Sequence, residues 1–168
     1  MKILITGATS GIGYLTALTL SERNHEVYLT CHTEKEVKNV KDKVKDFKNI
    51  NVMKLDITKE EDRLKVLNLD IDCLINNAAI GVGGSIIEAD IQKVRENYEV
   101  NVFSTFRLIQ LVLRQMVEKD KGRIINMSSL AGIFSFPFMG EIPITASLSF
   151  VNAYRSPLLF GVAVKSIL

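Results

Sequence analysis

The residues best placed for chemistry are Thr6-Gly7-Ala8-Thr9-Ser10-Gly11-Ile12-Gly13, where three glycines fall within seven positions. They follow the apolar run Ile3–Thr6 directly and open a segment bearing Leu15, Leu18 and Leu20. A glycine-rich turn between a strand and a helix permits a tight bend and lets a pyrophosphate approach the main chain. The free N–H groups and positive dipole end of the following helix attract the anion. Gly7, Thr9, Ser10, Gly11, Ile12 and Gly13 are therefore the first candidate binding residues. A βα turn that packs tightly and binds nothing is the competing reading of the same glycines.

A second candidate lies at the end of the run Val27–Thr30. There a dinucleotide site carries an acid for the ribose 2′-hydroxyl of NAD, or a cation for the 2′-phosphate of NADP. The segment Thr30-Cys31-His32-Thr33 has no acid and one titratable ring, His32, with Lys35 close behind. It favours NADP over NAD; a His32 that merely ends the strand is the alternative.

Other reactive residue types are poorly placed for chemistry. Cys31 and Cys73 stand far apart with no Cys or His at ligand spacing, which predicts neither a metal site nor a disulfide and suits a reducing cytoplasm. His25 has no second His beside it to make it a metal ligand and is expected in an exposed turn. The six lysines between Glu34 and Lys48 alternate with Glu34, Glu36, Asp42 and Asp46, while Val37, Val40, Val44 and Phe47 keep helical spacing, so this charge run is a solvated helix face.

These groups need a scaffold, and 168 residues at 47% hydrophobic content suffice for one compact domain spanning residues 1–168. A chain of this size buries roughly two thirds of its unfolded surface without a disulfide or structural metal. With 21 basic and 19 acidic residues the net charge is +2, which leaves no basic stripe for nucleic acid. The longest uncharged run, Ile124 to Gly140, contains Asn126, Ser128, Ser129 and Ser135, too many polar groups for a membrane span. The start is too short for the apolar core of a signal peptide, so a cytoplasmic protein is expected.

Six short apolar runs read as strands: Ile3–Thr6, Val27–Thr30, Ile50–Leu55, Cys73–Ile75, Arg123–Met127 and Gly161–Leu168. Between them lie amphipathic segments, including one helix from Ile91 to about Lys119 with Val94, Tyr98, Val102, Phe106 and Ile109 along one face. The strands are too continuously apolar to have a wet face. Their alternation with helices predicts an α/β, doubly wound, Rossmann-like parallel sheet of about six strands in three layers.

The spacing Gly-x-x-x-Gly-x-Gly resembles that of the classical short-chain dehydrogenase/reductase family, and further segments agree in order from Lys2 to Leu168. Leu55-Asp56-Ile57 resembles the third-strand end that meets the adenine. Asn76-Asn77-Ala78-Ala79 resembles the family's Asn-Asn-Ala-Gly strand end, and Asn101 matches the helix asparagine that organises a proton relay. Gly122-Arg123-Ile124-Ile125-Asn126-Met127-Ser128-Ser129 resembles the fifth strand, with Ser129 as the catalytic serine; Phe160-Gly161-Val162-Ala163-Val164 resembles the start of the sixth. The resemblance implies catalytic roles for Asn101 and Ser129. It implies cofactor contacts from Gly7, Thr9, Ser10, Gly11, Ile12, Gly13, His32, Asp56, Ile57, Asn77 and Ala78. It further implies NADP or NAD as cofactor, hydride exchange with a small-molecule carbonyl or alcohol, and homo-oligomers built through two long helices.

The family's Tyr-x-x-x-Lys pair, about thirteen residues after the serine, falls here on Ile142 and Ala146. Nor does another tyrosine supply it: four positions beyond Tyr14, Tyr28, Tyr98 and Tyr154 stand Leu18, His32, Val102 and Leu158. Pro157 falls where a helix residue is expected, and Leu168 closes the sixth strand, where the family continues into a substrate loop, a helix and a seventh strand. Three functions follow: an impaired or inactive oxidoreductase, a catalytically silent dinucleotide-binding or oligomerising module, or a truncated remnant with no function of its own.

Overall fold

The β-branched and leucine-rich runs form strands where the sequence predicts them, the ends of the first five shifted by no more than two residues and the sixth starting two residues earlier. In the computed structural model, which describes residues 1–82, 87–129 and 159–165, these are β1 (Lys2–Ile5), β2 (Glu26–Cys31), β3 (Ile50–Lys54), β4 (Cys73–Asn76), β5 (Arg123–Ser129) and β6 (Leu159–Lys165). They make one sheet in the order β3-β2-β1-β4-β5-β6, every neighbouring pair parallel. The helices are α1 (Gly11–Glu22), α2 (Glu34–Lys43), α3 (Glu60–Leu64), α4 (Ile91–Tyr98) and α5 (Thr105–Glu118).

Both faces of the sheet are covered, as its composition requires. Leu4, Leu74 and Ile124 pack with Leu108, Val112 and Met116 of α5 on one side. Ile3 and Ile5, pointing the other way along β1, pack with Ala17 of α1 and with Val37 and Val40 of α2. The result is three layers. Strand order reverses between β1 and β4, so the chain leaves these neighbours in opposite directions and opens a crevice at their carboxyl ends.

Several local expectations need correction. The single helix predicted from Ile91 to about Lys119 is interrupted by a π-helical turn, Glu99–Ser104, between α4 and α5. There the Thr105 hydroxyl donates to the Val100 carbonyl and the Ser104 hydroxyl to Glu99. The wider turn resets the helix phase: Asn97, Asn101, Ser104, Thr105, Leu108 and Val112 are buried, whereas Phe106, assigned to the apolar face, is 50% exposed. His25 is half-buried rather than exposed, its carbonyl accepting from Asn49 Nδ2 at 2.7 Å. Leu168, assigned to the sixth strand, lies outside the described residues, as do Ile142, Ala146 and Pro157.

Candidate functional site at the carboxyl edge of the sheet

The floor of the crevice is a knot between the ends of β1 and β4. The Thr6 hydroxyl accepts from the main-chain N–H groups of Asn77 and Ala78, each at 2.9 Å. Asn77 Nδ2 returns two bonds, to the carbonyls of Thr6 and Gly7, each at 3.0 Å. The glycines answer different needs. A Cβ on Gly7, whose φ is +61°, would lie 2.7 Å from Ala78 Cα, and one on Gly13 would lie 2.5 Å from Asn77 Nδ2. Both are demanded by packing, as the ligand-free reading supposes. Gly11 is not: its φ of +57° itself favours glycine, and among the described residues no atom outside its chain neighbours and its own helix backbone lies within 4 Å of its Cβ position.

Gly11 begins α1, and the side chain of the preceding Ser10 makes no cap bond to the helix. The first turn carries no acidic residue, so its N–H groups and dipole are not neutralised by α1's own side chains. An open glycine in front of an uncapped helix end suits an anion that touches the main chain. Thr9, Ser10, Ile12, Asn77 and Ala78 all lie on the two segments that border this opening.

Farther along the same edge, Asp56 and Ile57 lie in the turn after β3. Asp56 Oδ1 accepts from Thr58 N at 2.9 Å and Thr58 Oγ1 at 2.7 Å. His32, just beyond β2, is exposed, and its Nε2 stands 3.2 Å from Asp56 Oδ2. This corrects the expectation of no carboxylate at the end of the second strand. β2 and β3 pair in parallel with Cys31 opposite Lys54, which brings Asp56 beside His32 although the two are far apart in sequence. Burial pushes the Asp56 carboxyl up, but the Thr58 hydroxyl and amide, with His32, outweigh it and hold it below its ordinary value.

The turn has support that sequence reasoning missed. Asp62 of α3, its side chain 2% exposed, accepts from Asp56 N at 3.0 Å and pairs with Lys54 at 3.0 Å and with Lys65. Burial acts to raise its carboxyl, yet the bonds from Lys65, the Asp56 amide and Lys54 win and bring it to about 2. Arg63 donates to the Ile57 carbonyl and to Glu60, and Glu60 also binds Arg107 of α5 at 2.7 Å. Glu60-Glu61-Asp62-Arg63 reads locally as an ordinary charged helix turn, so no signal distinguished its two working members.

The third part of the site is built on the π turn. Buried Asn101 donates through Nδ2 to the Ile80 carbonyl at 2.8 Å and accepts from Ile80 N at 2.9 Å. Asn97, also buried and not singled out from the sequence, donates to the same carbonyl at 2.7 Å. Both asparagines thus hold the segment leaving β4. Between that segment, the π turn and Met127 of β5 is a cavity of about 20 Å³, with Asn76, Asn77, Asn101 and Thr105 in its wall; polar groups and this size suit one water molecule. β5 ends on Ser129, beyond the pairing of Asn76 with Asn126. The positions predicted to lack the proton donor, Ile142 and Ala146, are outside the described residues.

Among the described residues there is no cluster suited to a metal ion and no helix long and apolar enough to cross a membrane. Cys31 and Cys73 are free and buried, and burial pushes both thiols up to about 11. They are therefore poor nucleophiles.

Against this geometry, the sequence model of the short chain dehydrogenase family matches residues 1–163. A 3-ketodihydrosphingosine reductase of Bacteroides thetaiotaomicron is 37% identical over 164 residues, covering 95% of this chain and 58% of that protein. An NADP-dependent 3-hydroxy acid dehydrogenase of Salmonella typhimurium is 30% identical over 175 residues, covering 98% of this chain and 69% of its own. Among solved structures, NADP-bound ElxO superposes with a TM-score of 0.79 at 26% identity, over 89% of this chain and 63% of that one. The chain thus spans well under two thirds of the length of its Bacteroides relative.

Proposed function

From the chain's place in the short-chain dehydrogenase family, to which it belongs, we propose that the crevice between β1 and β4 binds NADP or NAD for hydride exchange with a small-molecule carbonyl or alcohol. The observation that carries this reading is Gly11, open on its Cβ side in front of an uncapped helix. In this assignment the main chain at Gly11 and Ile12, with Ser10 and Thr9, holds the pyrophosphate. Asp56 and Ile57 take the adenine, His32 and Lys35 the ribose 2′ position, and Asn77 and Ala78 the wall of the crevice. Gly7 and Gly13 bring those walls close enough together.

The nicotinamide, when bound, gives or accepts the hydride. The chain's own task is orientation and proton handling. Asn101 fixes the Ile80 segment, and Ser129 orients the substrate oxygen. Ile142 has no exchangeable proton, and without a positioned acid the oxygen must be protonated by water, a difference of about 10²–10⁴-fold in rate. The chain as given is therefore a poor or silent carbonyl reductase that keeps its nucleotide site. His32 and Lys35, meeting the 2′-phosphate, would favour NADP, the cofactor in the names of two proteins this chain resembles.

We further assign residues 1–168 to a single domain in the reducing cytoplasm, where two free thiols persist. Pairing of copies through α4 and α5 accounts for Phe103, Phe106 and Val117, which lie 61%, 50% and 51% exposed on or beside α5.

Calorimetric titration with NADP⁺ and NAD⁺, followed by assay on a panel of ketones and aldehydes, tests this reading. Saturable binding of at least one dinucleotide without appreciable turnover is expected, and Ile142→Tyr alone leaves turnover absent because Ala146 supplies no ammonium to lower the phenol pKa. Robust turnover by the unmodified chain would refute the silent-enzyme reading.

A further inference from the structure

Two consecutive side chains of α3 hold the main chain of the turn after β3. Asp62 Oδ2 accepts the Asp56 N–H at 3.0 Å, and Arg63 Nη1 donates to the Ile57 carbonyl. We infer that Asp62 and Arg63 are positioning residues for the adenosine half of the nucleotide, holding the Asp56–Thr58 turn so that the Asp56 carboxylate stands at the sheet edge beside His32. The inference rests on the dinucleotide reading of the crevice and adds residues that touch no ligand.

The burial of Asp62 is the main argument. A carboxylate with 2% exposure on a five-residue surface helix costs desolvation free energy that its lysine partners only offset. A well-packed apolar side chain fills such a place at equal or lower free energy, so packing alone does not call for the charge. What only an acceptor there can do is fix the Asp56 amide, and it has the means: Lys54 at 3.0 Å comes from the end of β3 and Lys65 from beyond α3. The carboxylate is thereby anchored to the strand whose continuation it steers. That burial is outweighed and the group stays ionised to about 2 agrees with this role.

Arg63 extends the support sideways. Its side chain is 11% exposed, pairs with Glu60 at 2.7 Å, and reaches Ser104 Oγ of the π turn at 3.4 Å. Glu60 is shared with Arg107 of α5. The adenine turn is therefore braced against the helix that carries Asn101, and its main-chain form is set by groups distant from the ligand.

The test separates the two halves of the cofactor. 5′-AMP and nicotinamide mononucleotide are titrated separately, by saturation-transfer NMR, into the unmodified chain, Asp62→Leu, which keeps the volume but has no acceptor, and Arg63→Met, with NADP⁺ as reference. Each substitution removes one of the two main-chain bonds, so one remains informative where the other fails to fold. A positioning role predicts that the dissociation constant of 5′-AMP rises about tenfold while that of nicotinamide mononucleotide stays within about twofold. Equal weakening of both fragments, or unchanged 5′-AMP binding in a folded variant, overturns the inference. An unmodified chain that binds no fragment and no NADP⁺ instead removes the dinucleotide reading itself.

Discussion

The glycine turn after β1 and the Asp56 turn after β3 sit on the same edge of the sheet and are shaped by opposite means. Residues 6–13 are fixed by backbone: Gly7 and Gly11 take positive φ, and Gly7 and Gly13 lie where a Cβ would strike Ala78 or Asn77. Residues 56–58 are fixed by side chains from elsewhere, Asp62 and Arg63 of α3 and Lys54 of β3. A turn made by backbone restrictions breaks when a methyl group is added and is indifferent to acid. A turn made by buried charges tolerates methyl groups and responds to pH.

The largest effect is expected at Gly7. Gly7→Ala combines a left-handed backbone with a Cβ 2.7 Å from Ala78 Cα, and should lower unfolding free energy by about 2–4 kcal/mol in urea titration. A loss below about 1 kcal/mol would mean that the knot relaxes easily, and the contrast with Gly11 would fail.

Acid should act next, and on the other turn. Asp62 has a carboxyl held at about 2 against an ordinary 3.8, and Glu60, bound by Arg107 and Arg63, is also lowered to about 2. Between these values the unfolded chain binds more protons than the fold, so stability rises with pH there. The contribution is present above about pH 4 and is lost as pH falls toward 2. The stability gap between the unmodified chain and Asp62→Asn should therefore shrink as urea midpoints are taken from pH 5 to pH 2.5. A gap constant across that range would assign the effect to packing rather than charge.

The smallest effect belongs to His32. Its ring is exposed and already faces Asp56, so its attraction for a 2′-phosphate is that of a surface charge, about 0.2–1 kcal/mol. His32→Ala should reduce the ratio of NADP⁺ to NAD⁺ affinity by at most about fivefold, and added salt should reduce the ratio in the unmodified chain. Equal ratios in both proteins at low salt would leave NADP selection to Lys35 or to neither.

The same contrast explains what the sequence made legible. The sheet was readable because its central strands β1 and β4 are apolar on both faces, and the glycine turn because backbone geometry leaves its mark on residue type at the position that needs it. Asp56, Asn77 and Asn101 were found by resemblance to family segments. Asp62 and Arg63 were not found, because what distinguishes them is a neighbour brought close by β3 and its turn, which spacing along α3 does not record. The His32–Asp56 contact was hidden for the same reason, since it joins the ends of two parallel strands. The π turn escaped because one wide turn changes which face of a helix is buried without changing the apolar content that suggested the helix.

The central claim, that the space in front of Gly11 is kept for a dinucleotide phosphate, is tested most directly by titrating NADPH fluorescence against the unmodified chain and Gly11→Ala at matched folded fraction. With no described atom beyond its chain neighbours and helix backbone within 4 Å of the added Cβ, the substitution should cost only about 1–2 kcal/mol of backbone strain and leave the fold intact. The account predicts saturable NADPH binding by the unmodified chain and a loss of at least about tenfold in Gly11→Ala, because the methyl group occupies the approach to the main chain. Equal affinity in the two folded proteins would contradict it.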